Sequence, residues 1–136
     1  MRRLLLLFFL ALAPLPACQT SSVGTGIVTG KTVTTDDALY QIAWSAVDPL
    51  PRSGGKIDLY VTDKSGQPSD GLTVEVVPWM PAMGHGASVY PTVSALGAGH
   101  YVAQPLELSM AGTWQLRIKL TKGAQESHAA IDVDVP

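Results

Sequence analysis

From Ala38 to the C-terminus, apolar residues recur at every second position in short runs, not at the 3.6-residue spacing of a helix. Tyr40, Ile42, Trp44 and Ala46 form the first run. Ile57, Leu59 and Val61 form the second, interleaved with Lys56, Asp58, Tyr60 and Thr62. Leu72, Val74 and Val76 make a third, which Pro78 closes. A weaker run covers 89–93, where Pro91 marks a sheet edge because proline cannot donate to a ladder. A short β-like run covers 100–103. Trp114, Leu116, Ile118 and Leu120 form the sixth, and Ala129, Ile131, Val133 and Val135 the last. Successive side chains of a strand point to opposite faces, so each run predicts one buried and one wet face. Turn-forming clusters separate the runs: Ser53-Gly54-Gly55, Asp63-Lys64-Ser65-Gly66-Gln67-Pro68, Leu96-Gly97-Ala98-Gly99 and Lys122-Gly123-Ala124. Seven short strands without a helical segment predict an all-β domain, an immunoglobulin-like antiparallel β-sandwich of about seven strands. A jelly roll or a small barrel is the competing architecture.

The N-terminus follows a different rule. Met1-Arg2-Arg3 is a short positive segment, and residues 4–13 are an unbroken apolar run. Ten residues are too few to span a bilayer as a helix, which takes roughly 20, and they match the core of a secretory signal. Leu15-Pro16-Ala17-Cys18 then resembles the bacterial lipobox, in which the cysteine is acylated and becomes the new N-terminus. The expected division is a lipoprotein signal peptide over 1–17, a Ser/Thr/Gly-rich tether over 18–35 and a folded domain over 36–136. Lipidation at Cys18 makes a membrane surface the first expected partner. It places the domain in the bacterial envelope, facing the periplasm or the exterior. Gln19 stands where an aspartate often retains lipoproteins in the inner membrane, which favours the outer membrane in a two-membrane cell.

Cys18 is the only cysteine, so the mature domain has no disulfide and folds on its core alone. Loss of Arg2 and Arg3 leaves seven basic residues against eleven acidic ones, a formal charge of −4. No basic cluster exists, which excludes the usual footprint of a nucleic-acid binder. There is no G-x-S-x-G elbow, phosphate-binding glycine loop or H-E-x-x-H pair, so no enzyme activity is expected.

One stretch carries distinctive chemistry: Val77-Pro78-Trp79-Met80-Pro81-Ala82-Met83-Gly84-His85-Gly86. The mature chain holds three methionines, and Met80 and Met83 lie here beside His85. Thioethers are soft and select Cu(I) over harder ions, and imidazole is a general ligand for copper. Methionine also supplies sulfur in an oxidising compartment, where cysteine pairs tend to form disulfides. Met83 and His85, two apart, face the same side in extended chain. Met80 joins them only if the Pro81 bend folds it back. Met110 is the preferred extra ligand, and His100 is an additional candidate. His128 and Trp79 are weaker members: histidine beside a strand is ordinarily solvated, and Trp79 reads as a rim aromatic. Trp44 and Trp114 read as core, and Gly112 as the residue permitting a tight approach into its strand.

Met80-Pro81-Ala82-Met83-Gly84-His85-Gly86, Gly99-His100-Tyr101 and Met110-Ala111-Gly112-Thr113-Trp114-Gln115-Leu116 together resemble the YtkA-like domain, which is related to FixH. The D-x-x-G-x-P element Asp63-Lys64-Ser65-Gly66-Gln67-Pro68 adds to the likeness, which covers roughly residues 53–121. The resemblance implies a small immunoglobulin-like domain, exported or membrane-anchored, with a role in copper handling and cytochrome oxidase assembly. FixH proteins carry a transmembrane helix where this chain has a lipobox. Two functions are therefore expected in competition. One is an envelope Cu(I) buffer, carrier or metallochaperone-like accessory, paired with a copper-donating or copper-accepting envelope protein. The other is a metal-free interaction module that docks a partner through the Trp/Met-rich loop.

Overall fold

The computed structural model describes residues 26–136. The signal-peptide and lipidation readings, with Cys18, lie outside these residues. The described chain is all-β and contains no helix. Its strands are β1 (Gly26–Thr34), β2 (Tyr40–Asp48), β3 (Gly55–Asp63), β4 (Thr73–Met80), β5 (His85–Gly86), β6 (Thr92–Gly97), β7 (His100–Leu106), β8 (Gly112–Lys122) and β9 (Gln125–Val135). They form two antiparallel sheets, one of order β1-β2-β3-β7-β6 and one of order β5-β4-β8-β9. The sheets face each other as a β-sandwich.

The alternating runs become its two inner faces. Ile42, Ile57, Leu59 and Tyr101 from the first sheet meet Trp114, Leu116, Ile118 and Leu120 from the second, and all are essentially inaccessible. Burying a side chain of this size stabilises by about 1.5–3 kcal/mol, which is how a domain without disulfides holds together.

The described residues form nine strands, not seven. The first addition, β1, occupies Gly26–Thr34, inside the segment expected as tether. It pairs with β2 from Gly26↔Asp48 to Thr34↔Gln41, with a register shift between Val28 and Lys31. An edge strand can be held by backbone pairing without a regular apolar alternation, so hydrophobic pattern did not reveal it. The second addition, β5, has two residues and is too short for any periodicity.

Two boundaries also move. β4 runs through Pro78 to Met80. The carbonyl of Pro78 accepts from Ala87 N at 3.1 Å, so its missing N–H falls on that same side, where only the short β5 follows. The ladder to β8 is intact, with Pro78↔Leu116 in register. β6 begins at Thr92, three residues later than the sequence run, and continues to Gly97. It is an edge strand as expected. Most of it is exposed, with Val93 partly buried, which explains its weak pattern.

The connections fix which residues share an end. The β2–β3 connection, the β4–β5 turn and the β7–β8 connection lie at one end, with Gly26, Met80, Leu106 and Gly112. The β1–β2 turn, the β3–β4 connection, the β6–β7 turn and the β8–β9 turn lie at the other. At that second end Tyr101 Oη donates to Ser69 O (2.9 Å) and accepts from Leu72 N (3.3 Å), tying β7 to the β3–β4 connection.

The β1–β2 turn also reaches across to β9. Asp37 accepts from the Ser127 hydroxyl, from Thr35 Oγ1 (2.8 Å), from Leu39 N (3.1 Å) and from Gln125 Nε2 (3.1 Å). The Ser127 bond above all, with the Thr35 and Leu39 donors, holds the Asp37 carboxyl down at about 2 against an ordinary 3.8. A depressed carboxylate stabilises the fold above its unfolded value and loses that contribution as pH falls through the folded one. The melting temperature is therefore expected to fall between about pH 4 and pH 2. Asp37→Asn should flatten that part of the profile, and calorimetric scans across this window check it. An unchanged slope in the variant would place the acid sensitivity elsewhere.

Candidate metal centre

β4 ends at Met80, and residues 81–84 turn the chain back into β5. Met80 O accepts from Met83 N (3.1 Å) and Gly84 N (3.0 Å), and Gly84 takes φ +68°. The Pro81 bend therefore folds the segment back, and it does so as a hairpin. Met80 and His85 become register partners across β4 and β5. Directly opposed residues of an antiparallel pair project to the same face, their Cβ atoms about 4.5–5.5 Å apart. Met80 belongs to the inner face of β4 and is buried, while His85 is exposed at the rim.

This corrects the basis of the predicted grouping. Met83 and His85 do not face one another along extended chain, because the turn and the positive φ of Gly84 lie between them. Cross-strand register brings His85 to Met80 instead. Met83 sits in the turn and is the most exposed of the three methionines among the described residues, at 55 %.

Met110 approaches from the β7–β8 connection. Its carbonyl accepts from Trp114 Nε1 at 2.9 Å, so a fully buried indole on β8 holds this connection in place. Gly112 follows two residues after Met110, with φ +126°, and a Cβ there would lie 3.0 Å from Met80 Cε. The missing side chain lets the thioether of Met80 pack against the start of β8. The His85 ring meets Trp114 edge to face, with centroids 6.4 Å apart. Met80, His85 and the Met110 connection thus converge on Trp114 and Gly112.

The imidazole is also oriented. His85 Nδ1 lies 3.0 Å from Gly86 O. A carbonyl only accepts, so this bond assigns the proton to Nδ1 and leaves the Nε2 lone pair free in the neutral ring. A ligating histidine is commonly prepared in this way, by donating its other nitrogen to a carbonyl.

The remaining histidines lie elsewhere. His100 starts β7 at the opposite end, on the outer face of its sheet. Its Nε2 is 2.9 Å from Asp58 Oδ1, and its ring stacks on Tyr60 at 4.4 Å. Burial raises the Asp58 carboxyl, but the His100 and Lys56 contacts outweigh it and leave the group below its usual range. His100 thus lies at the opposite end from Met80, His85 and Met110. His128, on the outer face of β9, pairs with Asp36 at 3.4 Å. Trp79 neighbours Met80 in sequence and therefore faces the other way, with the Arg117 guanidinium 4.6 Å from its ring centroid. It is an outer-face aromatic and does not cover the methionines. Trp44 and Trp114 are core, as expected.

A model of the YtkA-like family matches residues 36–119, from the β1–β2 turn to β8. The chain belongs to the YtkA-like family. No curated protein and no solved structure matches it significantly. The matched span of this YtkA-like chain includes the β4–β5 hairpin, the Met110 connection and Trp114. Trp114 is the member of the group that sequence reasoning assigned to the core alone. Its spacing of four from Met110 was the available signal, but an indole-to-carbonyl bond over that distance depends on the turn between them.

Among the described residues no three His, Cys, Asp or Glu side chains cluster in a way that would hold a metal. Any metal at this end would rest on thioethers and one imidazole. That donor set fits a soft, low-charge ion such as Cu(I), for which no carboxylate is needed.

Proposed function

We propose that this YtkA-like protein is an envelope lipoprotein, anchored through Cys18, that binds Cu(I) with Met80, His85 and Met110. Met83, at the exposed turn, is the ligand that meets an incoming or departing ion. The protein buffers or carries copper for a donor or acceptor in the envelope and does not catalyse a reaction. The observation that supports this most is the register pairing of Met80 with His85 beside the Met110 connection. The register puts the Met80 thioether and the oriented His85 imidazole on one face, and no proton must leave a thioether for it to bind. Copper, when bound, would supply only its charge and its transferability.

The test is a competition titration of Cu(I) against a chromophoric chelator. His85→Ala with Met110→Leu is expected to weaken binding by about 100-fold or more, beyond the effect of altering groups around the ligands. Both residues lie outside the sealed core, so the fold should persist. Met83→Leu alone should have a smaller effect on affinity and a larger one on the rate of transfer. Uptake unchanged in the double variant would rule the site out.

A second reading draws on Met83, Val89 and Tyr90, exposed by 55 %, 49 % and 60 %. These large apolar groups follow one another through the β4–β5 turn and the connection to β6. They suit a metal-free docking surface. Protein purified from copper-supplemented cells without copper, but with a stoichiometric partner, would favour it.

A further inference from the structure

We infer that the end of the sandwich bearing Met80, Met83, His85 and Met110 is the end that rests against the bilayer surface. This rests on the Cys18 attachment proposed above and adds an orientation to it. The chain enters the described fold at Gly26, which pairs with Asp48 at the end of β2. That is the end of the β4–β5 turn and the β7–β8 connection. Cys18 and Gly26 are separated by eight residue steps, whose greatest reach is about 29 Å at full extension. β8 and β9 have eleven residues each and run the length of the sandwich, ten steps or about 33 Å at 3.3 Å per residue. Placing the opposite end on the lipid would lift Gly26 farther from the surface than its tether reaches. The inverted orientation is therefore closed to an anchored molecule.

The chemistry of this end agrees. Between Glu75 and Glu107 the chain carries no Asp, Glu, Lys or Arg, an uncharged stretch that includes the β4–β5 turn and Tyr90. Charged groups would resist desolvation at a headgroup boundary, whereas Met83 and Tyr90 lose little there. Asp48 is exposed at this end, and three other charged groups nearby are engaged. Arg52 Nε donates to Pro136 O (2.8 Å), Glu107 accepts from Gly54 N (3.0 Å), and Asp134 accepts from Thr113 Oγ1 (2.7 Å). A zwitterionic lipid surface is the occupant that suits this end. A soluble partner must then approach from the sides, while a membrane-embedded one meets the methionines directly.

The test uses the full mature protein, lipid-modified, in phosphatidylcholine vesicles. Ala82→Cys in the β4–β5 turn and Ala124→Cys in the β8–β9 turn each provide one free thiol for a donor dye, since Cys18 is acylated. Energy transfer to an acceptor on the lipid headgroups is expected to be several-fold greater from position 82 than from position 124. Equal or inverted transfer from protein that floats with the vesicles overturns the orientation and leaves the anchor reading intact. Protein that does not float refutes the anchor and the orientation together. Neither outcome depends on copper, so the metal proposal stands or falls separately.

Discussion

Gly99→Ala is expected to destabilise the domain by about 3 kcal/mol or more and to lower the urea midpoint by about 1–3 M. Gly99 sits in the β6–β7 turn with φ +70°, and an added Cβ would lie 2.4 Å from Val61 O and 3.1 Å from Ser69 N. Those two atoms already share a hydrogen bond of 2.9 Å, and Gly99 O accepts from Val61 N at 2.8 Å. Gly99 N in turn donates to Asp70 Oδ1 at 2.8 Å. A methyl group must therefore push apart the junction that holds the β3–β4 connection to the β6–β7 turn. The backbone there is fixed from several sides and cannot yield cheaply. Gly123→Ala is the control, since Gly123 has φ +62° with nothing within 4 Å of its Cβ position. It should cost only the conformational penalty of about 1–2 kcal/mol. Equal losses in the two variants would show that the close approach at Gly99 contributes nothing.

Trp114→Ala should cost about 3–5 kcal/mol, the usual loss for a fully buried large aromatic, and in a domain of this size that is a large share of the total. Trp114 has no accessible surface, and it is also the donor that holds Met110 O. Trp114→Phe separates the two roles. It keeps most of the apolar volume but removes the indole N–H, leaving Met110 O without its donor at a cost of about 1 kcal/mol from the hydrogen bond itself. The domain should remain folded by circular dichroism while the β7–β8 connection loosens, read as faster amide exchange there. On the copper proposal, Cu(I) affinity should drop in the same variant. Unaltered exchange would mean that other contacts of residues 107–111 hold the connection.

Much of the fold was legible because a sheet buried on one face imposes alternation on its sequence. Ile57, Leu59 and Val61 could be assigned to the core from spacing alone, and so could Trp114, Leu116, Ile118 and Leu120. β1 and β6 were harder for a shared reason. Edge strands bury little, so their sequences are not obliged to alternate. Pro78 misled in the opposite direction. Proline ends a strand only where a ladder bond is required on its own side, and here the neighbour on that side is a two-residue strand. At the candidate site, composition identified Met80, Met83, His85 and Met110 because sulfur and imidazole are scarce in this chain. It did not separate them from His100, which is equally scarce and lies at the far end.

Sequence alone determined the fold class, most of the inner faces and the chemical character of the turn after β4. Each follows from local periodicity or from residue type, which need no knowledge of distant contacts. Tertiary structure decided that Met80 pairs with His85 beside the Met110 connection, that Trp79 faces away, and that the chain enters at the methionine end. Those facts depend on strand register and sheet order. Register is set by cooperative packing between segments far apart in sequence, and no short window of residues encodes it.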